Sequence, residues 1–397
     1  MDLSEKYKNL TRSDYENISD LSWPTFDEFL QHQNVPDHVY HDIDQQLNLE
    51  HYVHPSFCIL PFFGIEYPSK TFCCLTPSGS DREHVKQQML DGIRPSECQK
   101  CWGLEDRGIR SDRMIKNDSF DFYHNKTVKE LLTKHDIGIV SYKIDTSSTC
   151  NATCVTCGPQ LSSAWAALEV RDDKKSNPVW RINPSSLDID YTTVKDMSFR
   201  GGEPLLSKEN FLILQKLVDA GNTDCMISFV TNGSIRPNDQ QTQLLKRFKN
   251  LVISLSIDGV GPVFEYLRYP LKWQDILDNI QWWRSLGVEL GISYTVSNLN
   301  IFYHDQTCQW FKDIKIPFLI NPVYDPPYFR PNALPWEIKE TIRHRLDDDI
   351  LKNLISAHDD QEDHLFKQSL IEIQRQDTLK SISIKSYLPE FCDLAGI

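Results

Sequence analysis

Cys150-Asn-Ala-Thr-Cys154-Val-Thr-Cys157 sets three cysteines at C-x3-C-x2-C spacing. Three thiolates this close in the chain can face one point if the backbone loops around it. That donor set suits an iron–sulfur cube whose fourth iron has no protein ligand. A closed zinc site would want a fourth Cys or His nearby, and the adjoining sequence offers none. A second group lies upstream. Phe57-Cys58-Ile-Leu-Pro-Phe-Phe-Gly-Ile-Glu-Tyr67 reads as a strand, Pro68-Ser69-Lys70 as a turn and Thr71-Phe-Cys73-Cys74-Leu75 as a returning strand. Such a β-hairpin carries a thiol on each arm, and Cys98-Gln-Lys-Cys101 adds two more. Neighbours in a strand point to opposite faces, so only one of Cys73 and Cys74 can join Cys58, Cys98 and Cys101. Spacing alone suits a structural zinc ribbon and an iron–sulfur cluster equally.

These groups need a scaffold. From residue 139 the chain alternates strand and helix, the pattern of a parallel α/β fold. Strands are expected at Ile139–Ile144, Asp196–Phe199, Met226–Val230, Leu251–Ser256, Gly291–Val296 and Ile316–Ile320, with helices between them. The first strand runs into the cysteine loop, and the second into Phe199-Arg200-Gly201-Gly202-Glu203-Pro204. Six β/α units predict a partial TIM-type barrel, whose site is lined by polar residues at the C-terminal strand ends. Glu203, Thr231, Asn232, Ser256, Asp258, Ser293 and Asn298 fall at or near such ends. Taken singly, each is explained by turn capping or strand termination. Taken as a set beneath one cysteine loop, they outline a pocket.

The cysteine loop after one strand and Gly-Gly-Glu-Pro after the next together resemble the radical S-adenosylmethionine (SAM) superfamily. The resemblance implies that Cys150, Cys154 and Cys157 hold a [4Fe–4S] cluster whose open iron is chelated by the amino and carboxylate groups of SAM. It implies that Gly201, Gly202 and Glu203 meet the methionine amino group, and that Ser256 and Asp258 serve the ribose and carboxylate. Thr231, Asn232, Ser293 and Asn298 would complete the pocket. Arg268, in Leu-Arg-Tyr-Pro, falls where related proteins often carry an arginine near SAM; a surface salt bridge is its structural alternative. One departure stands out: the family usually has an aromatic residue before the third cysteine, packed near the adenine, and this chain has Thr156.

The upstream thiols resemble the Twitch or SPASM auxiliary-cluster modules of the same superfamily, here placed before the barrel. The implied chemistry is reductive cleavage of SAM to methionine and a 5′-deoxyadenosyl radical, which takes a hydrogen atom from the substrate. An external flavodoxin- or ferredoxin-type reductant would supply the electron, and a second [4Fe–4S] cluster would serve electron transfer. Relatives with such modules act on peptides, small metabolites or nucleotides. The expected substrate is a peptide or small metabolite; a nucleotide or nucleic-acid base is the alternative. A non-catalytic iron–sulfur or zinc protein is the competing class. No catalytic side chain is identified.

Composition narrows the rest. A net charge of −14 over 397 residues lacks the basic footprint of nucleic-acid binding. No run approaches the roughly 18 apolar residues of a membrane span, and the first residues show no signal-peptide core, so a cytoplasmic protein is expected. Eleven cysteines there imply metal rather than disulfides; Cys225, Cys308 and Cys392 stand alone and read as buried, inert thiols. The expected division is an arm at 1–50, a cluster module at 51–125, the barrel at 139–325 and a helical extension at 326–397. Tyr324, Tyr328 and Arg330, in the Pro-rich entry to that extension, are within reach of a substrate or simply pack on the surface.

Overall fold

Alternation of side chains is the feature from which this sheet is built. In β4 (Met226–Thr231) and β6 (Glu289–Val296) every second residue is buried, so each strand has one core face and one more open face. A computed structural model describes residues 56–397 apart from 74, 78, 107–110, 115, 118–137, 173–178 and 357–360. The arm at 1–50 and Cys74 therefore lie outside the described residues. Seven strands form one sheet in chain order. They are β1 (Gly64–Tyr67), β2 (Ser141–Asp145), β3 (Asp196–Arg200), β4, β5 (Asn250–Ser256), β6 and β7 (Phe318–Pro322). Every neighbouring pair is parallel. β1 and β7 are the two edges of this order, so the α/β barrel is partial.

The six expected strands are all present, within a residue or two at their ends. The seventh is a correction. Residues 57–67 do not form one long hairpin arm: α1 (Leu60–Phe63) is a single helical turn with Pro61 near its start. The last four residues pair in parallel with β2, Glu66 opposite Lys143. The return run from Thr71 forms no strand among its described residues. Two backbone bonds close a tight turn, Lys70 N to Glu66 O and Glu66 N to Thr71 O. The chain then leaves through a further turn at Cys73–Thr76. Burial decides this outcome. Glu66 is 4% exposed and a carboxylate so buried needs cations; Lys143 of β2 lies at 3.2 Å and Arg200 of β3 at 3.4 Å. Those partners exist only in the parallel sheet.

The helices are α2 (Arg82–Leu90), α3 (Gln99–Glu105), α4 (Ser163–Val170), α5 (Lys208–Asp219), α6 (Asp239–Leu245), α7 (Pro262–Leu267), α8 (Trp273–Ser285) and α9 (His304–Asp313). After β7 come α10 (Trp336–Arg343), α11 (Asp349–Ser356), α12 (Glu362–Lys380) and α13 (Pro389–Ala395). The core cluster joins one sheet face to the helices: Ile144, Phe199, Phe229, Ile253, Ile292 and Tyr294 meet Leu214 of α5, Ile280 of α8 and Phe311 of α9. Phe199 and Phe229, on adjacent strands, stack at 5.0 Å. The same parity argument puts Lys143, Ser198, Ser228, Ser254 and Ser293 on the opposite, polar face. No described helix is long and apolar enough to cross a membrane.

Candidate active site

The cysteine loop leaves β2 and is fixed from two sides, by the start of α4 and by the chain at the end of α7. Ser163, in the first turn of α4, accepts from Cys150 N at 3.0 Å and donates back to Cys150 O at 3.0 Å. Ser162, the N-cap of α4, donates to Ala152 O at 2.6 Å. Trp165 Nε1 donates to Cys154 O at 2.8 Å. From the end of α7, Leu267 O accepts from Val155 N at 2.8 Å, and just beyond it Tyr269 O accepts from Thr153 N at 2.6 Å. The amides of Cys150, Thr153 and Val155 are thus held by neighbouring elements.

The Gly-Gly-Glu-Pro turn is docked directly on the approach to that loop. Gly202 N donates to Ser147 O at 2.9 Å and Glu203 N to Thr149 O at 2.7 Å. A Cβ on Gly202 would stand 2.3 Å from Thr149 O, and Gly201 has φ +104° with Ser147 O at 2.8 Å from its own Cβ position. Only glycines permit this backbone contact.

The Glu203 carboxylate is bonded within the protein. It is 1% exposed. Its Oε1 accepts from Leu205 N at 3.0 Å and Thr231 Oγ1 at 2.7 Å, and its Oε2 from Asn232 N at 2.8 Å. Burial raises its pKa, and the three donors oppose that rise. The carboxylate joins the ends of β3 and β4, with acceptor capacity for about one further donor. Glu203→Gln puts an N–H against one of these donors. It is expected to cost about 1–3 kcal/mol, read as a lower urea midpoint at unchanged slope; an unshifted midpoint would contradict this joining role.

Asn232 continues the link: its Nδ2 donates to Asn151 Oδ1 at 2.8 Å, and Asn151 Nδ2 donates to Ser234 Oγ at 2.9 Å. Asn151, inside the cysteine motif, was not singled out by sequence reasoning; its position between two ligand candidates was the available signal.

Asp258 and Arg268 form a second set. They are paired at 2.8 Å and both largely buried, so Arg268 is no surface salt bridge. Asp258 Oδ1 also accepts from Thr295 N at 3.0 Å. Burial works against the charge of Arg268, yet Asp258 and the thiols of Cys154 and Cys157 raise its pKa overall. Arg268 Nε is buried without a hydrogen-bond partner among the described residues. Burial pushes the thiols themselves up, Cys150 to about 11 and Cys157 to about 12, and raises Cys154 as well. These thiols are protonated at neutral pH until a metal displaces the protons. Three thiols beside an arginine with a spare buried donor fit a thiolate-ligated cluster and an anionic ligand.

The remaining candidates are more scattered. Ser256 ends β5 and is nearly buried. Ser293 Oγ accepts from Asn321 Nδ2 at 3.0 Å across β6 and β7. Asn298 is fully buried and holds the Pro-rich loop, its N donating to Phe329 O at 3.1 Å and its Nδ2 to Tyr328 O at 2.9 Å. Arg330 Nε donates to Tyr324 O at 2.8 Å.

Upstream, Cys58, Cys73, Cys98 and Cys101 line one cavity together with Phe72 and Arg113. Without the hairpin, the thiols arrive from the turn before α1, the turn after β1 and the start of α3. Leu75 N donates to Cys73 Sγ at 3.4 Å. Arg113 is anchored by Glu105 at 2.7 Å and lies 4.8 Å over the Trp102 ring. Burial pushes the Cys58 thiol up to about 12 and raises Cys98 and Cys101. Among the described residues, no three His, Cys, Asp or Glu side chains are gathered closely enough to hold a single ion, either around this cavity or in the loop of Cys150, Cys154 and Cys157. Cys225, Cys308 and Cys392 are buried, as their isolation suggested.

No family model and no curated protein matches this chain. Several solved structures show a distant likeness. One is native anSMEcpe with bound AdoMet, at 19% identity and a TM-score of 0.37 over 52% of this chain and 58% of that one. Another is Streptococcus suis SuiB bound to S-adenosylmethionine, at 13% identity and a TM-score of 0.37 over 68% and 60%. A third is the radical S-adenosylmethionine methyltransferase TsrM from Kitasatospora setae with cobalamin and a [4Fe–4S] cluster bound, at 12% and 0.32 over 51% and 40%. The matches span less than two thirds of those proteins' lengths.

Proposed function

We propose that this chain is a radical SAM enzyme whose cluster is held by Cys150, Cys154 and Cys157. The observation that carries the reading is the junction of its two motifs: Gly202 and Glu203 are hydrogen-bonded to the residues that lead into the cysteine loop. When bound, a reduced [4Fe–4S] cluster supplies the electron that splits SAM into methionine and a 5′-deoxyadenosyl radical. The chain's own work is positional. Gly201 and Gly202 let the β3 turn approach the loop, and Glu203 ties that turn to Thr231 and Asn232. Arg268, held by Asp258, offers positive charge beside Cys154 and Cys157. Ser256, Ser293 and Asn298 are proposed to shape the pocket around SAM. Such fixed placement of cofactor and target is where a protein contributes most to this kind of chemistry.

The anaerobically reconstituted protein, with SAM and a strong reductant, is expected to release 5′-deoxyadenosine and methionine in equal amounts even without substrate. A protein carrying a full complement of iron that leaves SAM intact would reject the enzyme reading in favour of a non-catalytic metal protein.

We further propose that Cys58, Cys73, Cys98 and Cys101 hold an auxiliary cluster within an N-terminal module at 51–125 that also lends β1 to the barrel. Four thiols around one cavity support a polynuclear centre over a lone zinc, which needs its sulfurs about 2.3 Å from one point. With four protein thiolates, an electron-transfer role is favoured over direct substrate ligation. A peptide or small metabolite remains the proposed substrate class, and a flavodoxin- or ferredoxin-type protein the proposed electron donor.

A further inference from the structure

α12 brings two buried polar side chains to the cysteine loop. Gln376 is 2% exposed and Lys380 5%. Gln376 Nε2 donates to Val155 O, between the second and third cysteines, at 3.0 Å. Lys380 Nζ donates to Gln376 Oε1 at 2.8 Å and lies 4.6 Å from the centroid of the Trp165 ring. Trp165 in turn donates to Cys154 O at 2.8 Å. The end of α12 is held on both sides. Tyr266 donates to Asp377 Oδ1 at 2.9 Å, and Tyr269 to Lys380 O at 3.3 Å. The backbone O of Tyr269 also accepts from Thr153 of the loop at 2.6 Å.

A buried ammonium is costly unless something nearby repays its lost hydration. The groups that bear on Lys380 are the Gln376 carbonyl, the Trp165 ring, Asp377, Glu372, Arg375 and Cys154. Burial pulls the Lys380 pKa down to about 8, and a thiolate at Cys154 is the largest influence opposing that fall. A leucine or methionine would pack on Trp165 more cheaply, so packing alone does not explain a lysine here.

We infer that Gln376 and Lys380 form a bracket from α12 that anchors the cysteine loop and sets a positive charge beside its thiolate-bound centre. This inference rests on the reading of the loop as a cluster site. Both are positioning residues: neither is placed against substrate or SAM. The charge matters because the potential of a thiolate-bound cluster follows net charge and hydrogen bonding around it, and a nearby cation stabilises the form carrying the extra electron.

The test is the midpoint potential of the loop cluster in the reconstituted full chain, followed through the paramagnetic signal that changes when SAM is added. Lys380→Met is expected to keep its iron but become about tenfold harder to reduce, which for a one-electron couple is about 59 mV lower. Lys380→Arg, which keeps the charge, is expected to return the wild-type value. If Met alone loses the loop's iron and Arg retains it, the charge role stands. An unmoved midpoint in Lys380→Met overturns it, as does loss of iron in both variants. In metal-free protein, Gln376→Leu is expected to speed amide exchange across residues 153–157 about tenfold; an equal rate overturns the anchoring. A wild-type loop that takes up no iron overturns the cluster reading and this inference together, before any variant is compared. A normal cluster with unmoved potential overturns this inference alone.

Discussion

Replacing Cys150, Cys154 and Cys157 together by Ala is expected to abolish SAM cleavage and to remove roughly half of the iron, leaving a second centre whose ligands lie elsewhere. The size of the effect follows from the donor set. Residues 150–157 hold no Cys or His besides these three cysteines, so the loop offers no other soft donor to replace a lost sulfur. The fold is expected to survive, because the loop is held by its backbone and by Trp165, not by its thiols. Circular dichroism and the urea midpoint should therefore stay near wild type while iron content falls. A triple variant that keeps all its iron, or that still yields 5′-deoxyadenosine, would show that the loop is not the cluster site.

The second large effect concerns the upstream cavity. Cys98→Ala combined with Cys101→Ala removes two of its four described thiols and is expected to empty it of metal. SAM cleavage should continue, since the loop is held by α4, the end of α7 and α12, but product from the true substrate should fall to background, leaving 5′-deoxyadenosine uncoupled from turnover. Cys73→Ser is expected to have nearly the same consequence as the double variant, because Cys73 lines that cavity with the others. Cys74→Ser is expected to differ sharply from it, because a four-thiolate centre with Cys58, Cys98 and Cys101 calls for only one of the two neighbouring thiols. Metal analysis of anaerobically prepared full-length protein decides the chemistry: the reading requires a second set of iron and sulfide. Stoichiometric zinc in place of that iron would convert the module to a structural site and leave the barrel site untouched. Equal loss in Cys73→Ser and Cys74→Ser would remove the basis for choosing Cys73.

Local signals explain what was legible. Alternation in Met226–Thr231 and in Glu289–Val296 marks strands with one buried face, and the intervening periodic segments mark helices, so the parallel sheet could be drawn from residue 139 onward. The same logic misled upstream of it. The run at 57–67 has the composition of a strand, yet Pro61 starts a helical turn and only Gly64–Tyr67 enters the sheet. Its aromatic content expresses burial in a core that contains Phe57, Phe63, Phe72 and Trp102, and burial by itself does not distinguish a hairpin arm from a turn followed by an edge strand.

What the sequence by itself determined is the chemistry available: the number and spacing of thiols, the two glycines that let one turn meet one loop, and the order of strands that carries them to the same end of a sheet. These are properties of neighbouring residues, and backbone geometry converts spacing into placement. What only the tertiary structure decided is how the charges are used. Glu203 is committed to Thr231 and Asn232, Glu66 to Lys143 and Arg200, and Arg268 to Asp258. Gln376 reaches Val155 across 221 positions of chain. A buried ion or amide takes whichever partner the packed core sets beside it, because leaving it unpaired costs more than almost any local preference can offset. That choice is made between segments far apart in the chain, and no periodicity within either one records it.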